Sequence, residues 1–422
     1  MFFYFLIIRI AALFGHRKAR LMVQGQKEIK DAMTNKGQST KDNVPGTKRL
    51  ADFRGAVWIH VSSVGEFEQA RPLIERIRAK GERRKIVLTF FSPSGYEMRK
   101  NYDKVDAVFY LPFATRRNAK RFLNTLQPKM AIFVKYEFWP AYLRELKKRQ
   151  IRTYNISAIF REKQLFFRWY GKWYLKLLRC FTHIYVQDEN SLALLEKHGI
   201  HNATIVGDTR FDRVQEVKAN GEKANRERLV PVAQFVEGCE RVIVAGSTWP
   251  KDEVLLAQYL KAQSDSGRNT KLILVPHEID ENHLHFIFNL FQGRMVRYTR
   301  ATQTSLLHAN VMVMDTMGLL SSVYRFGQVA YIGGGFGVGI HNTIEAAVYG
   351  IPVIFGPNYQ HFREAKGLIA AGAARSIKDY PEIEAALDTA LAQHETIGAK
   401  AAEYVAAETG ATEKIYNEIF NS

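Results

Sequence analysis

The sequence predicts an α/β protein made of two tandem doubly wound domains, each a parallel sheet covered by helices. Short apolar runs alternate with helical segments from about residue 56, and a second series of the same kind begins at residue 241. A charged stretch, 214–240, separates the two series. The chain has 422 residues, which is too many for one ordinary domain and enough for two or three.

The chain begins with an apolar run, residues 1–15, interrupted only by Arg9 and followed by a basic cluster at 16–20. A membrane-spanning helix needs roughly 20 apolar residues, so this run is short. It also lacks the charges before the run and the small-residue cleavage site of a signal peptide. We therefore predict residues 1–32 as an N-terminal membrane anchor that lies in the plane of the bilayer or shallowly in it. A true span and a buried helix are the alternatives.

A polar segment with glycine and proline, 33–50, is expected to be a linker to the first domain, 50–213. The strands of this domain are expected at 57–61, 85–90, 107–110, 130–134, 152–156 and 183–186, and its helices at 69–78, 115–126 and 140–149. A further long helix, basic and aromatic, is expected at about 163–180.

The second domain is predicted at 241–405, after a linker at 214–240. Its strands are expected at 241–245, 271–275, 311–314, 329–332 and 353–355. Residues 406–422 are expected to form a C-terminal helix that packs back on the first domain. Two such domains in tandem bind ligands in the cleft between them, at the carboxyl ends of their strands.

The charge balance predicts a polyanionic partner, because 60 Lys and Arg residues outnumber 42 Asp and Glu residues, for a net charge of +18. Nucleic acid, an anionic membrane surface and a phosphorylated substrate all fit. No signature of a common nucleic-acid-binding module is visible, so nucleic acid is not the predicted partner. Only two cysteines are present, and no cysteine and histidine cluster has metal-ligand spacing, so neither a metal nor a cofactor is predicted.

A glycine-rich turn follows the predicted strand 329–332, with glycines at 333, 334, 335, 337 and 339. Asn342 and Thr343 then cap a predicted helix that runs to Tyr349. Glycines let backbone N–H groups approach a ligand, and a helix N-terminus favours negative charge, so the turn suits a phosphate. Glu345 stands in the first helical turn, where it can accept from ribose hydroxyls. The glycine spacing matches neither the dinucleotide nor the P-loop fingerprint, so a flexible loop remains the alternative.

Three more turns in the second half follow predicted strands. They are Gly246-Ser247-Thr248, Pro276-His277-Glu278 and Asp315-Thr-Met317-Gly318. Each alone is also compatible with an ordinary helix cap or a structural histidine. Together with the glycine-rich turn they favour a nucleotide-phosphate pocket in the second domain.

Two carboxylates of the first domain also stand directly after predicted strands. Glu66 ends the turn Ser62-Ser-Val-Gly-Glu66, and Glu137 lies between Lys135 and Trp139. Either carboxylate can serve acid–base chemistry in a cleft. The alternatives are a helix cap for Glu66 and a structural ion pair for Glu137.

These motifs, in this order, resemble those of the 3-deoxy-D-manno-octulosonic acid (Kdo) transferases, the inner-membrane enzymes of lipopolysaccharide assembly. The resemblance runs from about Trp58 to Gly372. Its motifs are His60-Val-Ser-Ser-Val-Gly-Glu66, Ser92-Pro-Ser-Gly95, Tyr136-Glu-Phe-Trp-Pro140, Gly207-Asp-Thr-Arg-Phe-Asp212, Ala245-Gly-Ser-Thr248, Asp315-Thr-Met-Gly318, Gly333-Gly-Gly335, His341-Asn-Thr-Ile-Glu345 and Phe355-Gly-Pro357.

The resemblance implies a GT-B glycosyltransferase that transfers Kdo from CMP-Kdo to a lipid A precursor, with inversion and without a metal. It implies an N-terminal anchor at the cytoplasmic face of the inner membrane, Glu66 as the general base, and a functional role for Glu137. The residues it assigns to donor binding are Gly246, Ser247, Thr248, Pro276, His277, Asp315, Met317, Gly318, Gly334, Gly335, His341, Asn342 and Glu345. Another GT-B transferase with a membrane lipid acceptor, and a non-catalytic nucleotide-binding protein of the membrane surface, are the alternatives.

The sequence departs from the family pattern at three places. His277 stands where many members carry an arginine that binds phosphate, Leu319 where they often carry a glutamate, and Lys135 where many carry an acid. A histidine can take the place of the arginine when it is protonated or when it donates from a neutral ring. These departures affect the contacts of the donor and not the class of reaction.

Overall fold

The computed structural model describes residues 2–34 and 48–421, which form two compact units. The first unit contains Met1–Arg213 and Thr409–Ser422, and the second contains Val214–Glu408. The segment predicted as a linker at 33–50 lies mostly outside the described residues.

Seven parallel strands form the sheet of the first unit, in the order β3-β2-β1-β4-β5-β6-β7. They are β1 (Val57–Val61), β2 (Ile86–Phe90), β3 (Ala107–Tyr110), β4 (Met130–Val134), β5 (Arg152–Ala158), β6 (His183–Val186) and β7 (Ala203–Ile205). The strands are almost continuously apolar, as expected for a parallel sheet buried on both faces. The strand order reverses between β1 and β4, which is where an open α/β sheet places its ligand.

The helices that cover this sheet are α3 (Val64–Ala79), α4 (Pro93–Arg99), α5 (Arg116–Leu126), α6 (Pro140–Lys148), α7 (Lys172–Leu178) and α8 (Glu189–Lys197). The long helix predicted at about 163–180 is wrong. Two 3-10 turns, Leu165–Phe167 and Trp169–Gly171, precede the short α7. The chain doubles back because Gly171 lies against Leu165, where a Cβ atom would stand 1.6 Å from the Leu165 carbonyl oxygen.

The N-terminal residues form two helices, α1 (Phe2–Leu13) and α2 (Arg17–Ala32). The side chain of Ile8 in α1 is buried in a small cluster with Met22 of α2 and Phe113 of the domain. Ile10 and Leu13, on other sides of α1, are exposed. Within residues 2–34 and 48–421, no helix is both long enough and apolar enough to cross a membrane.

The sheet of the second unit also has seven parallel strands, in the order β10-β11-β9-β8-β12-β13-β14. They are β8 (Val242–Thr248), β9 (Lys271–Pro276), β10 (Met295–Arg297), β11 (Val311–Val313), β12 (Val329–Ile332), β13 (Val353–Phe355) and β14 (Ala374–Ser376). Here the order reverses between β8 and β12. The prediction of two parallel α/β domains is therefore confirmed.

The helices around this sheet are α9 (Thr209–Asn225), which begins in the first unit, α10 (Val230–Val236), α11 (Pro250–Asp265), α12 (Glu281–Leu290), α13 (Gln303–His308), α14 (Leu320–Val323), α15 (Ile344–Ala347), α16 (Arg363–Ala370), α17 (Tyr380–Ala392) and α18 (His394–Ala407). Residues 214–240, predicted as a linker, are instead largely helical. Val232 and Phe235 of α10 are buried, so this stretch is part of the second unit.

The last helix, α19 (Ala411–Phe420), belongs to the first unit. Its Ile415 and Ile419 join the hydrophobic cluster that contains Ile74 and Ile77 of α3. The Asp212 carboxylate accepts hydrogen bonds from the backbone N–H groups just before and within the first turn of α19, at 2.6 and 2.7 Å. Such an acceptor satisfies N–H groups that have no partner within the helix.

Candidate active site

Glu66 lies at the start of α3, directly after β1 and beside the point where the strand order reverses. One carboxylate oxygen, Oε2, accepts from the backbone N–H of Ser63 at 2.7 Å and from the Ser63 hydroxyl. Glu66 is therefore the third helical residue of a capping box. The other oxygen, Oε1, has no hydrogen bond recorded among the described residues. The carboxylate is thus held through one oxygen while the other stays available to accept a proton.

Glu137 follows β4, on the other side of the same reversal, and it is only 7% exposed. Its Oε2 atom accepts from the Trp139 indole N–H at 2.6 Å and from His60 Nε2 at 3.0 Å. His60 lies fully buried in β1, and its Nδ1 atom is 2.9 Å from the Thr89 hydroxyl. The same Nδ1 atom is 3.1 Å from the Thr89 carbonyl oxygen, so Thr89 holds the ring on one side and Nε2 faces Glu137. Two donors therefore fix the Glu137 carboxylate in one orientation.

The turn that leads to Glu137 is backbone-strained. Lys135 has a φ of 59°, which is uncommon for a residue with a side chain. Its N–H donates to the Ile156 carbonyl at the end of β5, at 2.9 Å. In the second unit Ser247, the residue before the last of β8, has a φ of 55°, and the register with β9 shifts at this point. Strained residues of this kind cluster at functional sites, and here each unit has one beside its strand-order reversal.

The glycine-rich turn after β12 is an ordered element in which glycines allow close packing. A Cβ atom on Gly333 would stand 2.3 Å from the Ser247 carbonyl oxygen, and one on Gly335 would stand 2.6 Å from Gly356 Cα. The N–H groups of Gly337 and Gly339 both donate to the Gly334 carbonyl oxygen. Several of the N–H groups that the sequence assigned to a phosphate are therefore used inside the protein.

The residues after the glycine-rich turn form a small hydrogen-bonded group. The predicted helix to Tyr349 is shorter than expected and ends at Ala347. The Asn342 side-chain amide donates to Glu345 Oε1 at 2.8 Å, and its Oδ1 atom accepts from the Ile344 N–H at 3.3 Å. Asn342 and Glu345, both assigned to the donor, are thus brought together at the start of this helix.

Three aromatic rings from three separate segments stack beside the glycine-rich turn. The rings of Trp249 and His277 lie 4.8 Å apart, and those of His277 and His341 lie 4.5 Å apart. The Trp249 indole N–H points at His341 Nε2 at 3.4 Å. Burial lowers the pKa of His341, and the neighbouring His277 lowers it further. His277 is exposed, and no hydrogen bond to its ring is recorded among the described residues.

Two buried acids of α11, which the sequence prediction missed, hold these turns in place. Asp252 accepts from the N–H groups of Trp249 and Gly334 and from the Tyr331 hydroxyl, at 2.9, 2.9 and 2.7 Å. Glu253 accepts from the Thr248 hydroxyl and from His283 Nε2, both at 2.9 Å.

Burial raises the pKa of Asp252 and of Glu253. Burial alone lowers the pKa of His283, but the hydrogen bond to Glu253 raises it above the ordinary value. The only sequence signal for these acids was their position in the first turn of a helix, where acidic residues are common.

Two of the predicted turns differ from the expectation. Thr248 is the last residue of β8 and does not cap a helix, because α11 begins at Pro250 after Trp249. Asp315 follows β11, two strands away from β8, and it accepts from Arg297 Nε at 3.0 Å and from the Thr299 N–H at 2.9 Å. Although burial raises the pKa of Asp315, these hydrogen bonds hold it below its usual range. The remainder of that turn, with Met317 and Gly318, is exposed.

Comparison with known proteins identifies relatives that align with most of the chain. Residues 26–213 match the family described as 3-deoxy-D-manno-octulosonic-acid transferase (kdotransferase). The chain is 26% identical over 355 residues to a 3-deoxy-D-manno-octulosonic acid transferase of Rickettsia felis, covering 82% of this chain and 74% of the relative. It is 25% identical over 342 residues to the transferase of the same description from Aquifex aeolicus, covering 79% and 85%.

Among solved structures, the UDP-GlcNAc 2-epimerase from Neisseria meningitidis superposes with a TM-score of 0.63 at 14% identity, covering 87% of this chain and all of that one. This likeness shows the fold, and it fits two GT-B-like α/β units. The family match and the named relatives define the class: the chain is an enzyme, a glycosyltransferase. Within that class the resemblance to the Kdo transferases is confirmed, since their family model matches the first unit and their named members align with most of the chain.

Proposed function

We propose that the enzyme transfers Kdo from CMP-Kdo to a lipid A precursor of the lipid IVA type, with inversion, as a step of lipopolysaccharide biosynthesis. The activity for which the relatives are named supports Kdo as the transferred sugar. The geometry of Glu66 carries the proposal, because one carboxylate oxygen is held by Ser63 while the other is available as a base. Glu66 and Glu137 flank the strand-order reversal of the first unit, where this fold places chemistry.

In the proposed reaction, Glu66 Oε1 takes the proton of an acceptor hydroxyl as that oxygen attacks the anomeric carbon of Kdo. The bond from this carbon to the CMP phosphate breaks on the opposite face, and the phosphate leaves with the electron pair. General-base assistance of this kind contributes roughly 10²- to 10⁴-fold to the rate. Glu137, fixed by His60 and Trp139, acts as a positioning residue for the acceptor.

The donor is proposed to bind the second unit beside the stacked rings of Trp249, His277 and His341. His277 offers its exposed ring to the donor phosphate in place of an arginine. Asn342 and Glu345, joined by their side chains, are placed to meet the ribose hydroxyls. Gly334, Gly335 and Ser247 shape the pocket by close packing more than by free N–H groups.

The acceptor is membrane-bound, and we propose that α1 attaches the enzyme to the cytoplasmic face of the inner membrane. Ile8 packs on the domain, while Ile7, Ile10, Leu13 and Phe14 are exposed. A helix with one apolar side on the protein and another in solvent suits a position in the interface plane.

The decisive experiment is a mass-spectrometric transfer assay with the purified full chain, lipid IVA, Kdo, CTP and the synthetase that makes CMP-Kdo in place. The wild type is expected to give a product heavier by one Kdo. Glu66→Gln is expected to lose roughly 10²- to 10⁴-fold in rate while binding CMP normally by calorimetry. The amide oxygen of the variant still accepts from Ser63, so the helix cap is kept.

Glu68→Gln is the matched control, because Glu68 lies in the same helix and pairs with Arg99 at 3.0 Å. It is expected to retain transfer activity. Transfer by Glu66→Gln within about tenfold of the wild type would refute the assignment of the base, since a lost base costs more. If folded wild-type protein binds CMP but gives no product, the proposed donor and acceptor are wrong. Other nucleotide sugars would then be screened.

A further inference from the structure

An aromatic segment of the first unit, defined here as residues 161–176 and called the aromatic loop, follows β5 and includes the first residues of α7. Its two 3-10 turns lead into α7, and its inner side is anchored in the core. The Phe166 ring packs against Phe138 at 4.9 Å, and the Phe167 ring lies 6.0 Å from Phe160. Two consecutive phenylalanines therefore attach the loop to the domain.

The outer side of the aromatic loop presents large apolar side chains to solvent. Trp169 is 82% exposed, Tyr170 57% and Trp173 46%, and Leu165 is exposed beside them. Exposed apolar side chains scattered singly need no explanation, but a cluster of this kind marks an interaction surface. Trp and Tyr are the residues that favour the boundary between a bilayer and water.

The backbone conformation at Gly171 keeps the side chains of Trp169 and Tyr170 exposed. Gly171 closes the turn by donating its N–H to the Arg168 carbonyl at 2.9 Å, and a Cβ atom here would overlap the Leu165 carbonyl oxygen. The rings of Trp169 and Tyr170 contact each other edge to face at 5.5 Å. A tight turn therefore holds both rings away from the core.

Basic residues surround these aromatic side chains. Arg161, Lys163, Arg168 and Lys176 are exposed, whereas Glu162 is the single acidic residue of the loop. Arg144 of the neighbouring α6 lies over the Trp173 ring at 5.9 Å. A basic rim around an apolar tip complements an anionic lipid surface, where each Lys or Arg is attracted to the headgroups.

We propose that the aromatic loop is a second membrane-contact surface, which inserts Trp169 and Tyr170 into the interfacial layer of an anionic bilayer. Its inner anchor, Phe166, packs on Phe138, the residue next to Glu137. The loop thereby holds the bilayer beside the candidate acceptor site. This inference rests on the proposed membrane-bound acceptor, but its test needs neither donor nor acceptor. Helix α1 of the same unit also has exposed apolar side chains.

The experiment measures partitioning of the full chain onto vesicles of phosphatidylcholine with and without phosphatidylglycerol. The variant Trp169→Ser with Tyr170→Ser is expected to bind the anionic vesicles about tenfold more weakly, since each buried aromatic side chain contributes free energy worth that factor or more. The matched control is Phe286→Ser with Phe288→Ser, two exposed rings of the second unit, and it is expected to bind as the wild type does.

Brominated lipids then report which ring enters the bilayer. Their quenching of tryptophan fluorescence is expected to fall clearly in Trp169→Phe, although Phe keeps the apolar contact and the affinity. Equal partitioning of the wild type and the Trp169→Ser, Tyr170→Ser variant would overturn the proposal. The proposal would also be overturned if the double variant kept vesicle binding but lost an ability of the wild type to bind single-stranded nucleic acid or to self-associate in the ultracentrifuge.

Discussion

Asp252→Ala is the change that tests most directly how the second unit holds its candidate donor site. Asp252 is fully buried and joins three elements: the turn before α11, strand β12 and the glycine-rich turn. The Ala variant leaves the N–H groups of Trp249 and Gly334 and the Tyr331 hydroxyl without their acceptor.

Each buried donor left unsatisfied costs about 1–3 kcal/mol, and removal of the buried carboxylate returns part of this. We therefore expect the free energy of unfolding of the second unit to fall by about 3–5 kcal/mol in Asp252→Ala. Tyr331→Phe removes one of the three hydrogen bonds and is expected to cost about 1 kcal/mol. CMP binding is expected to weaken in the Ala variant, because the Gly334 turn loses its tether to α11.

Asp252→Asn is the control, because it keeps the size of the side chain and its hydrogen bonds but removes the negative charge. Its amide oxygen can accept from both backbone N–H groups, and its amide NH₂ can donate to the Tyr331 hydroxyl oxygen. Urea unfolding should place this variant within about 1 kcal/mol of the wild type at neutral pH. The reasoning is refuted if the Ala and Asn variants unfold at the same urea concentration, or if the Ala variant loses less than about 1 kcal/mol.

The difference in folding stability between the wild type and Asp252→Asn should change with pH in one direction. Burial raises the pKa of Asp252 above its value in the unfolded chain, so the folded state holds the proton more tightly. The resulting stability is full below about pH 4, the unfolded pKa, and is lost as the pH rises through the folded pKa. The Asn variant has no such loss. Its stability relative to the wild type should therefore increase as the pH rises through this window.

Two further predictions concern the glycine-rich turn and the histidine stack. Gly335→Ala should lower the melting temperature and weaken CMP binding, because its Cβ atom would stand 2.6 Å from Gly356 Cα; Gly337→Ala, whose nearest neighbour is 3.8 Å away, should change neither. The NMR titration of His341 should show a pKa below 6.5 that rises toward it in His277→Gln, because burial and the adjacent imidazole both disfavour the charged ring. An unchanged His341 titration in that variant would contradict the second prediction.

The strands that the sequence predicted well are those whose apolar runs are long enough to stand alone. Val57–Val61 and Met130–Val134 are buried at every position, so their hydrophobicity is unbroken along the chain. The three-residue strands that were missed, such as Ala203–Ile205 and Ala374–Ser376, lie at sheet edges and are only partly buried. Their pairing comes from the neighbouring strand, which no local pattern records.

The candidate site could be predicted only where its residues are close together in the sequence. Glu66 was found because its turn directly follows a predicted strand, where this fold places its site. The stack of Trp249 with His277 and His341 joins three segments that are far apart in the sequence, so only the folded sheet reveals it. The predicted helix at 163–180 failed for a related reason, since the contact of Gly171 with Leu165 overrides a favourable helical composition.

The two units place comparable features beside their strand-order reversals, and this explains the division of labour that we propose. Each unit has a strained residue there: Lys135 in the turn after β4, and Ser247 as the residue before the last of β8. In the first unit this turn presents a carboxylate that is hydrogen-bonded by His60 and Trp139. In the second unit the strand end leads to an aromatic stack backed by a buried acid.

A carboxylate can take a proton, whereas a histidine ring that donates a hydrogen bond favours an anion. The first unit is thus suited to activate an acceptor hydroxyl, and the second to bind the nucleotide that leaves. Exchanging the roles would require the carboxylates Glu66 and Glu137 to face a phosphate of the same charge, which electrostatic repulsion opposes. We therefore propose that charge, and not the shared fold, sets which substrate each unit binds.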